Sequence, residues 1–104
     1  MPIDASVIED LKAKHGEIYE FDHEDVAVVV KRPGRPQWKR FRSLIADERR
    51  RPDALETLLR DCLVYPGQKE LDAFLDRYPA VGESFGGKLA ELAGLTEKID
   101  PKAL

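Results

Sequence analysis

Apolar positions recur at helical spacing through residues 55–94, and the rest of the chain is arranged around that stretch. Leu55, Leu58, Leu59, Cys62 and Leu63 fall at i, i+3, i+4, i+7 and i+8, one face of a 3.6-residue period. Tyr65, Pro66 and Gly67 stop that helix. Leu71, Phe74, Leu75 and Tyr78 repeat the spacing up to Pro79, and Val81, Phe85, Leu89 and Leu92 make a third stripe, with Gly94 placed to cap its C-terminus. Gly86-Gly87 interrupts this last stripe, which suggests close packing or a bend.

Towards the N-terminus the period changes. Residues 4–15 predict a first helix, with Asp4 or Ser6 as N-cap, Val7, Ile8 and Leu11 inward, and Gly16 as its stop. Its stripe is thin, so it reads as an arm that is helical only when docked. Residues 17–21 and 26–32 then predict a β-hairpin around Asp22-His23-Glu24-Asp25, because Val26, Val28 and Val30 alternate with Ala27, Val29 and Lys31 and β-branched residues favour a pleated surface. Two strands alone are marginal in water, so the hairpin needs a helical layer or a further strand, and its edge is a place for a partner chain to pair. Pro36 suits the first turn of the next helix, whose inward stripe is Trp38, Phe41, Leu44 and Ile45 and whose end is expected near Arg49-Arg50-Arg51.

The sum is an α+β domain, mostly helical, with four or five short helices and one N-terminal hairpin. A chain of 104 residues is one domain of common size. We expect a globular unit over residues 1–94, comprising a helical arm at 1–16, the hairpin at 17–32 and helices at 35–94, followed by a flexible tail at 95–104. Cys62 is the one cysteine, which excludes an internal disulfide, and its place on an apolar stripe reads as a buried thiol. The acidic start of the chain lacks the charge pattern of a signal peptide, and the longest apolar run, residues 26–30, falls far short of the roughly 20 needed for a membrane span. A cytoplasmic protein with no membrane association is expected.

Charge sharpens the picture. The net charge is −3, yet residues 31–51 carry nine Lys or Arg against two acids, a local +7 that leaves −10 elsewhere. This asymmetry suits docking through one surface, with a solvated helix face as the plainer alternative. The segment KRPGRP resembles the Arg-Gly-Arg core with which AT-hook peptides enter the minor groove, and Arg32, Arg35, Trp38 and Lys39 are its candidate nucleic-acid residues. Pro33 replaces one arginine of the symmetric pair, so a strand-to-helix loop with Trp38 in the core and solvated cations is favoured.

His15, His23, Glu24 and Asp25 lack the spacing of a metal site and read as solvated loop residues. Gly86-Gly87 is far from the glycine-rich phosphate-binding patterns, and the many carboxylates offer no isolated acid–base pair, so no catalytic residue, metal ligand or cofactor is expected. Tyr65 and Tyr78, each followed by proline, read as helix-terminal residues with buried rings and hydroxyls near the surface.

Several of these residues together carry a family likeness. Arg35-Pro36 opens a helix with Trp38 and Phe41; Cys62-Leu63-Val64-Tyr65-Pro66 and Tyr78-Pro79 follow, with Leu71 and Leu75 between them; Phe85-Gly86 leads to Leu92-Ala93-Gly94. This pattern of helix stops, over about residues 26–94, resembles small proteins encoded in the tail-morphogenesis regions of long-tailed phages and prophages, described as tail assembly chaperones. The resemblance implies a non-enzymatic role: holding a long helical tail protein, such as the tape measure, until tube subunits polymerise around it. A protein partner is then expected on Tyr65, Tyr78 and Phe85 beside the basic helix face of Lys39, Arg40 and Arg42. The alternative is a small DNA-binding or regulatory module using residues 31–51.

Overall fold

The computed structural model describes residues 3–96 and 99–104. In chain order these form α1 (Ala5–His15), β1 (Ile18–His23), β2 (Val26–Lys31), α2 (Arg35–Ala46), a 3-10 turn (Arg51–Asp53), α3 (Ala54–Cys62), β3 (Leu63–Tyr65), α4 (Gln68–Arg77) and α5 (Val81–Leu92). The fold is α+β and dominated by helix. The three strands form one antiparallel sheet in the order β1-β2-β3.

The helices start and stop for local reasons. The Asp4 side chain caps α1 by accepting from the Ser6 backbone N–H at 3.0 Å, and Gly16 ends it at a φ of 75°. The side chain of Gln37 accepts from the Gly34 N–H at 2.9 Å, closing the first turn of α2 with Pro36 inside it. Gly94, at a φ of 103°, follows α5.

Three elements differ from the expectations set by the sequence. Asp22 and His23 belong to β1, because His23 pairs with Val26 and Glu24-Asp25 alone make the turn, with Glu24 at a φ of 54°. Residues 63–65 leave the helical path and pair with β2 as a third strand, so the hairpin edge next to β2 is covered. Pro66 disfavours helical backbone at Tyr65, and β2 supplies the hydrogen-bond partners that draw the segment into the sheet. Finally, α2 ends at Ala46 rather than near Arg51. Asp47 takes an extended conformation and its side chain accepts from the Arg49 N–H at 3.0 Å, an Asx-type turn that competes with the next helical turn. Ile45, expected inward, is consequently 39% exposed at the end of that helix.

The core lies between one face of the sheet and the helices. Val26, Val28 and Val30 of β2 meet Leu58, Leu59 and Cys62 of α3, Leu71 and Leu75 of α4, and Phe85 and Leu89 of α5. Phe41 completes it from α2, with Trp38 and Leu44 half-buried against it. Burying such side chains stabilises the fold by about 1.5–3 kcal/mol each. Val29 is also buried although it points to the opposite sheet face and stands outside that cluster. α1 packs against β1, and its Val7, Ile8 and Leu11 are half-buried with none fully covered.

α5 runs unbroken through Gly86-Gly87. A Cβ on Gly86 would lie 2.4 Å from the Leu55 carbonyl oxygen, so this glycine lets α5 and α3 approach backbone to backbone. The expected close packing is therefore present and the expected interruption is not. Arg60 ties α3 to α4 by donating to Gln68 and, at 2.6 Å, to Asp72, and it also donates to Glu56 one turn earlier in α3. Leu95, Thr96 and residues 99–104 are exposed and form no regular element; residues 97 and 98 of the expected tail, and residues 1 and 2 of the expected arm, lie outside the described residues.

Candidate functional site: a groove beside an edge strand

Among the described residues, a hollow of about 650 Å³ runs between β1 and the start of α5, with the α4–α5 turn at one end. Its apolar wall is Phe21, Val81 and Phe85, and its rim carries Glu20, Asp22, His23, Arg77, Tyr78, Ser84 and Lys88. The Phe21 and Phe85 rings lie 5.5 Å apart in a tilted pair. Phe85 is 6% exposed, so it forms the floor rather than a projecting contact.

Tyr78 fixes the hairpin tip to this groove. Its hydroxyl donates to Asp25 Oδ1 at 2.9 Å, its ring meets His23 edge to face at 5.1 Å, and the Arg77 guanidinium lies 5.4 Å from its centroid while bonding Asp25 Oδ2 at 2.9 Å. The hydrogen bond from Tyr78, helped by the charge of Arg77, holds the Asp25 carboxyl below its ordinary value, and the same bond pushes the Tyr78 phenol up.

The second hollow, about 440 Å³, is lined by Pro33, Gly34, Arg35, Trp38, Lys39, Arg42 and Ala93. Three cations of α2 and an indole thus share one concave surface. Arg32 is drawn away from it: its guanidinium donates to the Leu92 carbonyl at 2.6 Å, to Glu17 at 2.9 Å and to the Tyr19 hydroxyl, which in turn donates to Glu17. Those bonds hold Glu17 below its ordinary value, the one from Tyr19 first and the one from Arg32 next. Arg40 points elsewhere on α2 and pairs with Asp61 at 3.4 Å.

The residues singled out in the sequence therefore divide. Tyr78 and Phe85 meet in the groove; Lys39 and Arg42 meet with Arg35 and Trp38 in the second hollow; Arg40 and Arg32 are held in ion pairs; Tyr65, 37% exposed on β3, lines neither. The two hollows share no lining residue. Sequence reasoning missed Phe21, His23, Val81, Ser84 and Lys88 as groove residues. The alternation of Tyr19, Phe21 and His23 was the available signal, hidden by assigning Asp22 and His23 to the turn.

Cys62 is fully buried, and burial pushes its thiol up to about 11, which suits packing rather than reactivity. Among the described residues, no helix is long and apolar enough to cross a membrane.

Fold and site together define a small α+β domain with a groove between an edge strand and a helix. Residues 11–102 match a domain of unknown function, DUF6848, and the chain belongs to that family. It is similar in fold to an uncharacterised protein, RBSTP2171, from Bacillus stearothermophilus, with a TM-score of 0.77 and 24% identity over 91% of this chain and 99% of the other. No curated protein matches the chain.

Proposed function

We propose that this protein is a non-enzymatic binding module that seats a polypeptide partner in the groove between β1 and α5. The observation that carries the reading is the groove itself: an apolar floor of Phe21, Val81 and Phe85 with a charged and hydroxylic rim, the general anatomy of a protein-binding site. The likeness of its helix stops to tail assembly chaperones supports a role in phage or prophage tail assembly. The partner there is a helical tail protein such as the tape measure, held until tube subunits enclose it.

The test is capture by tagged protein from cells that co-express the neighbouring genes, comparing the natural chain with Ser84→Trp. Ser84 is exposed on the groove rim, so an indole there fills the groove without entering the core. A tail protein recovered in stoichiometric amount, and reduced at least tenfold by Ser84→Trp, is the expected result. Equal capture by both forms would place the partner elsewhere.

A second reading is favoured by one observation, the convergence of Arg35, Lys39 and Arg42 around Trp38. A DNA-binding module predicts retention on duplex DNA that weakens steeply with salt and is lost in Lys39→Glu/Arg42→Glu. Absence of retention at low salt excludes it.

A further inference from the structure

Four consecutive residues of β1, Glu20 to His23, line the same groove. Side chains of a strand alternate between its two faces, so a hollow that touches four in a row abuts the edge of the strand as well as one face. Among the described residues no strand lies beside that edge, since β1 is outermost in the sheet.

The hairpin register says which backbone groups stand there. A two-residue turn closes β1 and β2 at the hydrogen-bonded pair His23–Val26, and alternation makes Phe21–Val28 and Tyr19–Val30 the next such pairs. The N–H and C=O groups of Glu20 and Asp22 therefore turn outward, into the groove.

The geometry points to an extended peptide that adds to β1 as a fourth strand, with side chains alternating between apolar and basic. This rests on the groove being the partner site and assigns to it an extended segment of the partner rather than one of its helices. Peptide side chains on the helical side of the sheet drop onto Phe21, Val81 and Phe85. Those on the other side stand opposite Glu20 and Asp22, which are exposed and form no ion pair among the described residues, and cross-strand lysine or arginine complements them. A second copy of this chain is the poorer occupant. Antiparallel pairing of β1 with itself sets Glu20 and Asp22 against the same acids, and like charges directly opposite destabilise a strand pair.

The probes are synthetic heptapeptides alternating valine and lysine, or valine and glutamate, titrated into the full chain and followed by amide NMR shifts. The lysine peptide is expected to shift residues 18–23 and 81–88, to be displaced in Ser84→Trp, and to bind at least tenfold more tightly than the glutamate peptide. Glu20→Lys/Asp22→Lys should reverse that preference. N-methylation of the peptide backbone at one alternate set of residues should weaken binding at least tenfold, and at the other set should leave it unchanged, because only one set faces β1. Binding that is blocked by Ser84→Trp yet indifferent to both methylation patterns overturns strand addition while leaving the groove as a site. No binding of the lysine peptide at millimolar concentration overturns it too, with the capture experiment still deciding the groove. Equal binding of the two peptides removes the basic partner.

Discussion

Two sides of α5 end in opposite packing. Towards α3 the helix presents Gly82, Gly86 and Leu89, and the backbones close until no side chain fits between Gly86 and Leu55. Towards β1 it presents Val81, Ser84, Phe85 and Lys88, and a hollow remains. The difference teaches that apolar character alone does not fill space. On the α3 side, a position without a side chain lets the backbones meet at Gly86; on the β1 side, β1 is the outermost strand and Phe21 and Phe85 floor a hollow.

The strongest way to break this contrast is Gly86→Ala. Its Cβ would meet the Leu55 carbonyl, which is backbone and has no rotamer to yield, so unfolding in urea should show a loss of about 3 kcal/mol. Unchanged stability would mean that the helices separate at little cost. Next is Cys62→Ser on the face of α3 within the same core. A hydroxyl costs more than a thiol to take out of water at this fully buried position, and a loss of about 2 kcal/mol is expected. The native thiol should correspondingly resist a disulfide reagent until the chain unfolds; rapid labelling at neutral pH would contradict the dry α3 side.

Gly87→Ala is the matched control. A Cβ at this position meets nothing within 4 Å, so only helix propensity changes, and a gain of about 0.5–1 kcal/mol should appear in the same urea experiment. Losses of similar size at both glycines would dissolve the distinction between them. The smallest effect belongs to the groove rim. Because Asp25 titrates below its ordinary value in the folded chain, the Tyr78 bond contributes stability above the unfolded carboxyl range and loses it as pH falls through the lowered value. The difference in urea midpoint between the natural chain and Tyr78→Phe should therefore be present at pH 7 and fade below about pH 4. A difference that stays constant to pH 2.5 would show that the hydroxyl does not act on the carboxylate.

Much of the fold was legible in the sequence. Period-3.6 stripes located the helices because each buries one face, and Gly16, Pro36, Pro79 and Gly94 marked helix ends through backbone constraints that act locally. The buried thiol followed from Cys62 sharing a stripe with Leu58 and Leu59. The candidate site was less legible. Tyr78 and Phe85 were singled out and do meet, but their companions on β1 were concealed by a turn whose left-handed residue is Glu24, a residue type that does not advertise a positive φ.

What the sequence determined by itself, then, is the set of short helices, the valine-rich strand and the uneven distribution of charge, since periodicity, proline and glycine act within a few residues. Tertiary structure alone decided that residues 63–65 become a strand, because β2 supplies hydrogen-bond partners that no local pattern contains. It also decided that Arg32 and Arg40 are held in ion pairs while Arg35, Lys39 and Arg42 gather around Trp38. The groove is of the same kind: an empty volume between β1 and α5 is set by how far two distant segments approach, and no single segment encodes that distance.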